Sequence, residues 1–215
     1  MPDHDRTQPD AFERIDVEQP SVDRVQLRLH IARYEFARGW ASGRRGLDIA
    51  CGTGYGTAML AEAGATHMVG VDIDPRTIEQ AGHRYGRPEI SFVVGDAEQI
   101  PAAGPFGLIV SFETIEHLRN PELFLAATRD LLDPSGHFIV SSPCRHTGSL
   151  SDRPRNPFHV REWNRKEFEE LLGRYFARVT VFGQLIEFAQ GRLPFKRSLA
   201  RLLTTITDEI GRAHV

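Results

Sequence analysis

Several things are scarce in this sequence, and each scarcity excludes something. There are only two cysteines, Cys51 and Cys144. Two thiols cannot build a disulfide scaffold or a cysteine-rich zinc site, and both are expected as reduced thiols of a cytoplasmic protein. No apolar run approaches the roughly 18 residues that a membrane span requires, so no membrane is an expected partner. Neither sign of charge dominates: 26 basic side chains face 29 acidic ones, for a net charge of −3. Chains that bind nucleic acid through bulk electrostatics are normally clearly basic, so nucleic acid is not expected as a partner. There is no low-complexity tract and no internal repeat. Residues 1–10 are polar and carry three Asp, unlike a signal peptide or a basic transit peptide. Residues 1–20 are therefore expected as a disordered or loosely ordered tail.

What is present is enough for one domain. At 215 residues a chain can bury about 70 % of its unfolded surface without a covalent staple. Residues 21–215 are expected to form that single domain. From Ser21 to Trp40 the apolar residues Val22, Val25, Leu29, Ala32, Phe36 and Trp40 recur every three or four positions, the period of an amphipathic helix. Short apolar or β-branched runs at 47–50, 68–71, 90–94, 108–112 and 138–141 read as strands, and helical patterns fall between them. Pro75 stands at a favoured first-turn position, and Asp133-Pro134-Ser135-Gly136 is a strong turn signal. Five alternations of strand and helix predict a Rossmann-like α/β fold: a doubly wound, mostly parallel sheet of six or seven strands with helices on both faces. A helix at 165–174 and a strand at 177–182 follow. Between them and the fifth strand, the polar stretch 143–160 is longer than an ordinary connection and is expected to be a substrate-side lid. The pattern Leu199 to Ile210 predicts a helical extension over 191–215. Such a helix would cover the sheet edge or a partner subunit, which leaves a homodimer open.

The sharpest local signal is Leu47-Asp48-Ile49-Ala50-Cys51-Gly52-Thr53-Gly54-Tyr55-Gly56. A strand runs into a glycine turn that opens a helix, and the free N–H groups of such a helix start suit a carboxylate or phosphate. Asp72, at the end of the second strand, can accept hydrogen bonds from both hydroxyls of a ribose. These two features fit either NAD or S-adenosylmethionine (SAM). Three details favour SAM. The spacing is Gly-x-Gly-x-Gly, with Thr57 where a dinucleotide fingerprint wants its last glycine. Asp48 puts a carboxylate where a dinucleotide-binding strand is usually apolar, which suits a methionine ammonium. Gly95-Asp96-Ala97-Glu98 follows the third strand, where Asp96 can accept from an adenine amino group.

These four blocks, 48–56, 71–72, 95–97 and 109–117, stand in the order and at the spacing of the class I SAM-dependent methyltransferases. The chain resembles that family over roughly residues 25–183, and in particular bacterial small-molecule methyltransferases with a Glu-x-x-Glu-His pattern after strand four. The resemblance implies a SAM pocket lined by Tyr34, Asp48, Ala50, Gly52, Thr53, Gly54, Asp72, Ile73, Asp96, Ala97, Glu98 and Phe112. It also implies that the first helix, with His30, Arg33 and Tyr34, folds over the methionine end of SAM.

Methyl transfer from a sulfonium needs alignment, exclusion of water and, for a hydroxyl acceptor, removal of a proton. The candidates are Glu113, Glu116 and His117, just after strand four, where ligands collect in open α/β sheets. On a helical turn all three would share one face. With His159 they could hold a divalent metal such as Mg²⁺ or Mn²⁺. That set resembles the metal-using small-RNA 3′-terminal methyltransferases and the quinone-biosynthesis O-methyltransferases. In a metal-free reading His117 orients the acceptor or serves as base. Arg145, His146, Arg153, Arg155 and Arg161 form either a local anion-attracting cluster or a solvated lid. The expected function is methylation of an oxygen or nitrogen on a small-molecule acceptor. The alternatives are a metal-dependent RNA 2′-O-methyltransferase and a non-catalytic SAM-binding protein.

The chain departs from the family pattern in three places. Gly107 replaces a usual acidic residue, Cys144 replaces a frequent Asn, and nothing after Gln190 reads as a strand.

Overall fold

The computed structural model describes residues 24–145, 154, 156–184 and 201–207. Residues 1–23, half of the lid (146–153 and 155), and positions 185–200 and 208–215 lie outside the described residues.

Five strands, β1 (Arg45–Ile49), β2 (His67–Asp72), β3 (Ile90–Val94), β4 (Phe106–Phe112) and β5 (Leu132–Pro143), pair in parallel. The helices α1 (Arg24–Ala37), α2 (Tyr55–Glu62), α3 (Pro75–Tyr85), α4 (Pro121–Leu131) and α5 (Arg165–Leu172) connect or flank them. Two further strands, β6 (Arg178–Gln184) and β7 (Arg201–Thr207), complete a seven-stranded sheet in the order β3-β2-β1-β4-β5-β7-β6. The expected doubly wound sheet is thus observed.

Side chains alternate across the sheet, as the two-residue period of a strand requires. Leu47, Ile49, Ile109, Phe138 and Val140 face a core closed by Phe124 and Leu125 of α4 and Phe168 and Leu171 of α5. Leu108, Val110, Phe112 and Ile139 face the opposite core, closed by Tyr34 and Ala37 of α1 and Ala58 and Leu60 of α2. Local signals agree with these elements. Asp74 caps α3 by accepting from the Arg76 amide, with Pro75 in the first turn, and Asn164 and Glu167 form a reciprocal capping box at α5. The Asp133–Gly136 turn becomes an excursion within β5, because pairing jumps from Phe106–Leu132 to Leu108–His137.

The C-terminal expectation is corrected. Residues 201–207 form a strand, not part of a helix, inserted antiparallel between β5 and β6. The spacing of Leu199, Leu202, Leu203 and Ile206 mimics a helical stripe, but Thr204, Thr205, Ile206 and Thr207 are all β-branched. Two strand edges are available on either side, and sheet pairing overrides the local period.

Chain order reverses between β1 and β4, whose register is Asp48 opposite Val110. In an open α/β sheet that reversal leaves a crevice beyond the carboxyl ends of the two strands. Among the described residues two non-glycine residues have left-handed backbone, Ala50 (φ 60°) and Glu113 (φ 54°), and each directly follows one of these strands. Strained backbone of this kind clusters at functional sites.

Candidate active site

The donor side of the crevice is built mainly from backbone. Gly52 and Gly54 take φ of 54° and 83°, turning the chain sharply so that Gly54 opens α2. A Cβ added at Gly52 would meet nothing within 4 Å, so the turn faces open space at that residue, whereas one at Gly54 would collide with Ala81 and Phe92. The Asp72 carboxylate accepts from the amides of Gly52 and Asp74, both at 3.0 Å. This fastens the end of β2 to the glycine turn. Ile73, next along, is 60 % exposed, unusual for so apolar a side chain. The Thr53 hydroxyl is buried and has no hydrogen-bond partner among the described residues. An open glycine turn, a carboxylate at a strand end, an exposed aliphatic face and an orphaned hydroxyl together fit an adenosine-bearing ligand.

Other positions expected to hold the cofactor have visible partners within the fold. Asp48 is buried beneath the turn and accepts from Thr57 (2.6 Å) and from Tyr34, whose hydroxyl sits 3.2 Å from each oxygen. Burial pushes the Asp48 carboxyl up to about 7, against the pull of the two hydroxyls. Its visible role is to pin α1 and α2 to β1. Tyr34 is buried, and its ring lies over Gly56, where an added Cβ would collide with it. Phe112 packs edge-on against Tyr34, with centroids 4.9 Å apart. Asp96 stands in a turn and accepts from the Glu98 amide at 2.8 Å. Ala97 packs on the core. Glu98 accepts from the amides of Arg119 and Asn120 and from the Asn120 side chain, so it anchors the start of α4.

The acceptor side is built from side chains. Ile115–His117 forms one 3-10 turn after β4. Glu113 does not share a face with the next two candidates: its carboxylate accepts from the Ser141 hydroxyl at 2.9 Å and lies 3.3 Å from the Arg33 guanidinium. Its left-handed backbone turns it away from the helical geometry the sequence spacing predicts. Arg33 is fully buried and also donates from Nε to Gln184, whose amide donates to the Leu29 carbonyl. The first helix is thereby tied to β6 as well as to the loop after β4.

Glu116, His117 and His159 come together, each offering one ligand atom within 4.8 Å of the others. Among the described residues Glu113 is not part of this group. Glu116 is fully buried, and its carboxylate makes no well-formed hydrogen bond, although Ser142 lies near enough to favour the charged form slightly. Burial, then the charge of Glu113, pushes the Glu116 carboxyl well above the usual carboxylate range. The Glu116 carbonyl accepts from the amides of Val160 and Arg161, which clamps the end of the lid onto this turn. His117 donates from Nδ1 to the Phe158 carbonyl at 3.1 Å, and the His117 and His159 rings meet edge-on at 4.8 Å.

The basic cluster of the lid is not a free anion site where it is described. Arg145 is paired with Glu167 at 2.6 Å, and Arg161 lies over the Trp163 ring. His146, Arg153 and Arg155 lie outside the described residues. Two residues that sequence reasoning overlooked, Asn156 and Glu162, both contact His159. The Asn156-Pro157 pair is a turn signal that could have drawn attention to the first.

The sheet order, with its crevice at the strand reversal and a glycine turn on one side, defines an α/β fold of the nucleotide-binding kind. Comparison with known proteins agrees. The family described as "Methyltransferase domain" matches residues 47–140. A Mycolicibacterium smegmatis protein named "Probable S-adenosylmethionine-dependent methyltransferase" is 36 % identical over 148 residues, covering 68 % of this chain and 56 % of that protein. A ubiquinone biosynthesis O-methyltransferase of Caulobacter sp. is 33 % identical over 125 residues, 56 % of this chain and 49 % of that one. The chain thus spans about half the length of these curated relatives. In fold, a SAM-dependent methyltransferase from Mesorhizobium loti superposes with a TM-score of 0.62 at 16 % identity, covering 85 % of this chain and 99 % of that one. The chain carries a class I SAM-dependent methyltransferase domain, a family whose cofactor is SAM. No helix among the described residues is long and apolar enough to cross a membrane.

Proposed function

We propose that this protein transfers a methyl group from SAM to an oxygen or nitrogen of a small-molecule acceptor. The observation that carries the reading is the position of the Glu116, His117 and His159 group. Glu116 and His117 follow β4, one of the two strands that flank the reversal of order between β1 and β4, and His159 joins them from the segment after β5. When bound, SAM would supply a sulfonium methyl that an acceptor lone pair attacks in line, the C–O or C–N bond forming as C–S breaks and S-adenosylhomocysteine leaves with the bonding pair on sulfur.

On the donor side, Asp72 and Ile73 would receive the adenosine, and the Gly52–Gly54 turn with Thr53 the polar remainder. On the acceptor side, a carbonyl oxygen can only accept, so the His117 bond to Phe158 fixes the ring proton on Nδ1. Nε2 is then the atom that can take the proton of an acceptor hydroxyl. Glu116 beside it is fully buried. The ubiquinone O-methyltransferase relative makes a hydroxylated ring a reasonable first acceptor to test.

A second reading, a divalent metal such as Mg²⁺ or Mn²⁺ held by Glu116, His117 and His159, is favoured by their mutual approach within 4.8 Å. It requires ionising a carboxyl whose burial favours the proton, and displacing the Asn156 amide from His159.

Titration calorimetry with SAM and S-adenosylhomocysteine, on wild type and Asp72→Ala, tests the donor half. Loss of roughly 100-fold in affinity is expected for the variant, as removing charge-assisted hydrogen bonds costs. Turnover with phenol, catechol and amine acceptors, on wild type and His117→Ala, tests the acceptor half. In that variant kcat should fall by roughly a hundredfold or more, with SAM affinity unchanged. A wild type that binds no SAM overturns the reading. Tight binding of Mn²⁺ to wild type, lost in His117→Ala, replaces the metal-free reading with the second one.

A further inference from the structure

One hydrogen-bond chain on the acceptor side is not explained by the methyl-transfer reading alone. It begins at a backbone amide, which can only donate. The Phe158 N–H donates to Asn156 Oδ1 at 3.0 Å. That fixes the orientation of the amide, so Asn156 Nδ2 faces His159 Nε2, 3.0 Å away, as the donor. His159 Nε2 is therefore an acceptor, and its ring proton sits on Nδ1. There it donates to Glu162 Oε1 at 2.7 Å. The other end of the chain starts from the same residue, because the Phe158 carbonyl accepts from His117 Nδ1 at 3.1 Å. The two rings are in edge-to-face contact.

We infer that Asn156 and Glu162 are positioning residues that, through His159 and the Phe158 backbone, set the tautomer and placement of His117. The inference rests on the proposed role of His117 toward the acceptor. Both nitrogens of His159 are already engaged, so His159 serves as a brace and not as a proton acceptor. Removal of either Asn156 or Glu162 releases the ring. The Phe158 carbonyl that orients His117 then loses its fixed place. The Asn156-Pro157-Phe158-His159 turn, closed by the His159 amide on the Asn156 carbonyl at 3.2 Å, holds the four groups on one short piece of chain. The amides of Val160 and Arg161 fasten that piece to Glu116.

Long-range ¹H–¹⁵N correlation spectra of the histidine rings, recorded on the full chain above the pH at which they ionise, test this without substrate. In wild type both His117 and His159 should show the Nδ1–H tautomer. Glu162→Leu and Asn156→Ala should each turn the His159 pattern into a tautomer mixture and lower kcat about tenfold, while KM for SAM stays within about twofold. Glu162→Gln keeps an acceptor oxygen and should restore both the tautomer and most of kcat. A His159 Nε2–H tautomer in wild type overturns the inference. So does a Glu162→Leu protein with wild-type tautomers and wild-type kcat. Because the spectra need no acceptor, a failure of the His117 role (normal spectra, yet full activity in His117→Ala) is distinguishable from a failure of the brace.

Discussion

The two walls of the crevice are made from different material. On the donor wall the defining contacts come from main chain: the Gly52 and Asp74 amides on Asp72, two left-handed glycines, and the start of α2. On the acceptor wall they come from side chains gathered from α1, the turn after β4, β5, the segment 156–162 and β6. A backbone site is written in one contiguous motif, and substitutions that respect backbone geometry leave it intact. A side-chain site is distributed, holds buried charge, and fails when one partner is removed.

The sharpest way to break the acceptor wall is Arg33→Leu. It strips the guanidinium from Glu113 and leaves charge without its partner. Removing one member of a buried pair costs about 3–5 kcal/mol, here most plainly because Arg33 is fully buried. Denaturant unfolding measures it, and a cost below about 1 kcal/mol, the range of an exposed ion pair, would mean that the pair is screened.

The next effect sharpens the contrast from below the donor wall. Asp48 keeps its proton up to about pH 7 when folded, against 3.8 for an unperturbed aspartate. Between those values the folded state binds more protons, so stability falls as pH rises from about 4 to about 7 and is flat on either side. At about 1.36 kcal/mol per unit the swing is at most about 4 kcal/mol. Asp48→Asn should make this slope shallower, leaving the share of the same sign that the raised Glu116 carboxyl contributes, and a slope unchanged in the variant would refute the assignment.

Gly56→Ala drives a methyl into the Tyr34 ring. Overpacking of this kind costs about 1–3 kcal/mol. It should loosen α1 and weaken SAM binding alongside the loss in stability, whereas Ala at Gly39, which meets nothing within 4 Å, should do neither. The smallest effect belongs to Glu98→Ala. It frees two amides and a side chain at the start of α4 and should lower stability by about 1 kcal/mol, with SAM affinity unchanged. A large loss of SAM affinity would return Glu98 to the cofactor pocket.

How legible each wall is in the sequence follows from the same difference. Residues 47–56 read as strand, tight turn and helix start because each of these needs particular residues in adjacent positions. The spacing of Glu113, Glu116 and His117 predicts one shared helical face. Periodicity assumes regular helix, and the left-handed backbone at Glu113 breaks it. Asn156 and Glu162 carry no such signal, since a hydrogen bond between side chains on an irregular segment leaves no period. Glu98 shows the opposite difficulty: its place after β3 fits a cofactor contact, yet its partners are amides 21 and 22 residues away.

By itself the sequence determined the five parallel strands, helices α2, α3 and α4 and the glycine turn, because those depend on local propensity and on patterns a few residues long; the expected strand–helix alternation fails between β3 and β4, which residues 95–105 join without a helix. Only the tertiary structure decided that 201–207 is a strand, since its seven backbone partners on each side lie in β5 and β6. Only the tertiary structure paired Arg33 with Glu113 and gathered His117, His159, Asn156 and Glu162 around Phe158. Those contacts are set by where the chain crosses itself, and no local preference of the residues involved encodes that crossing.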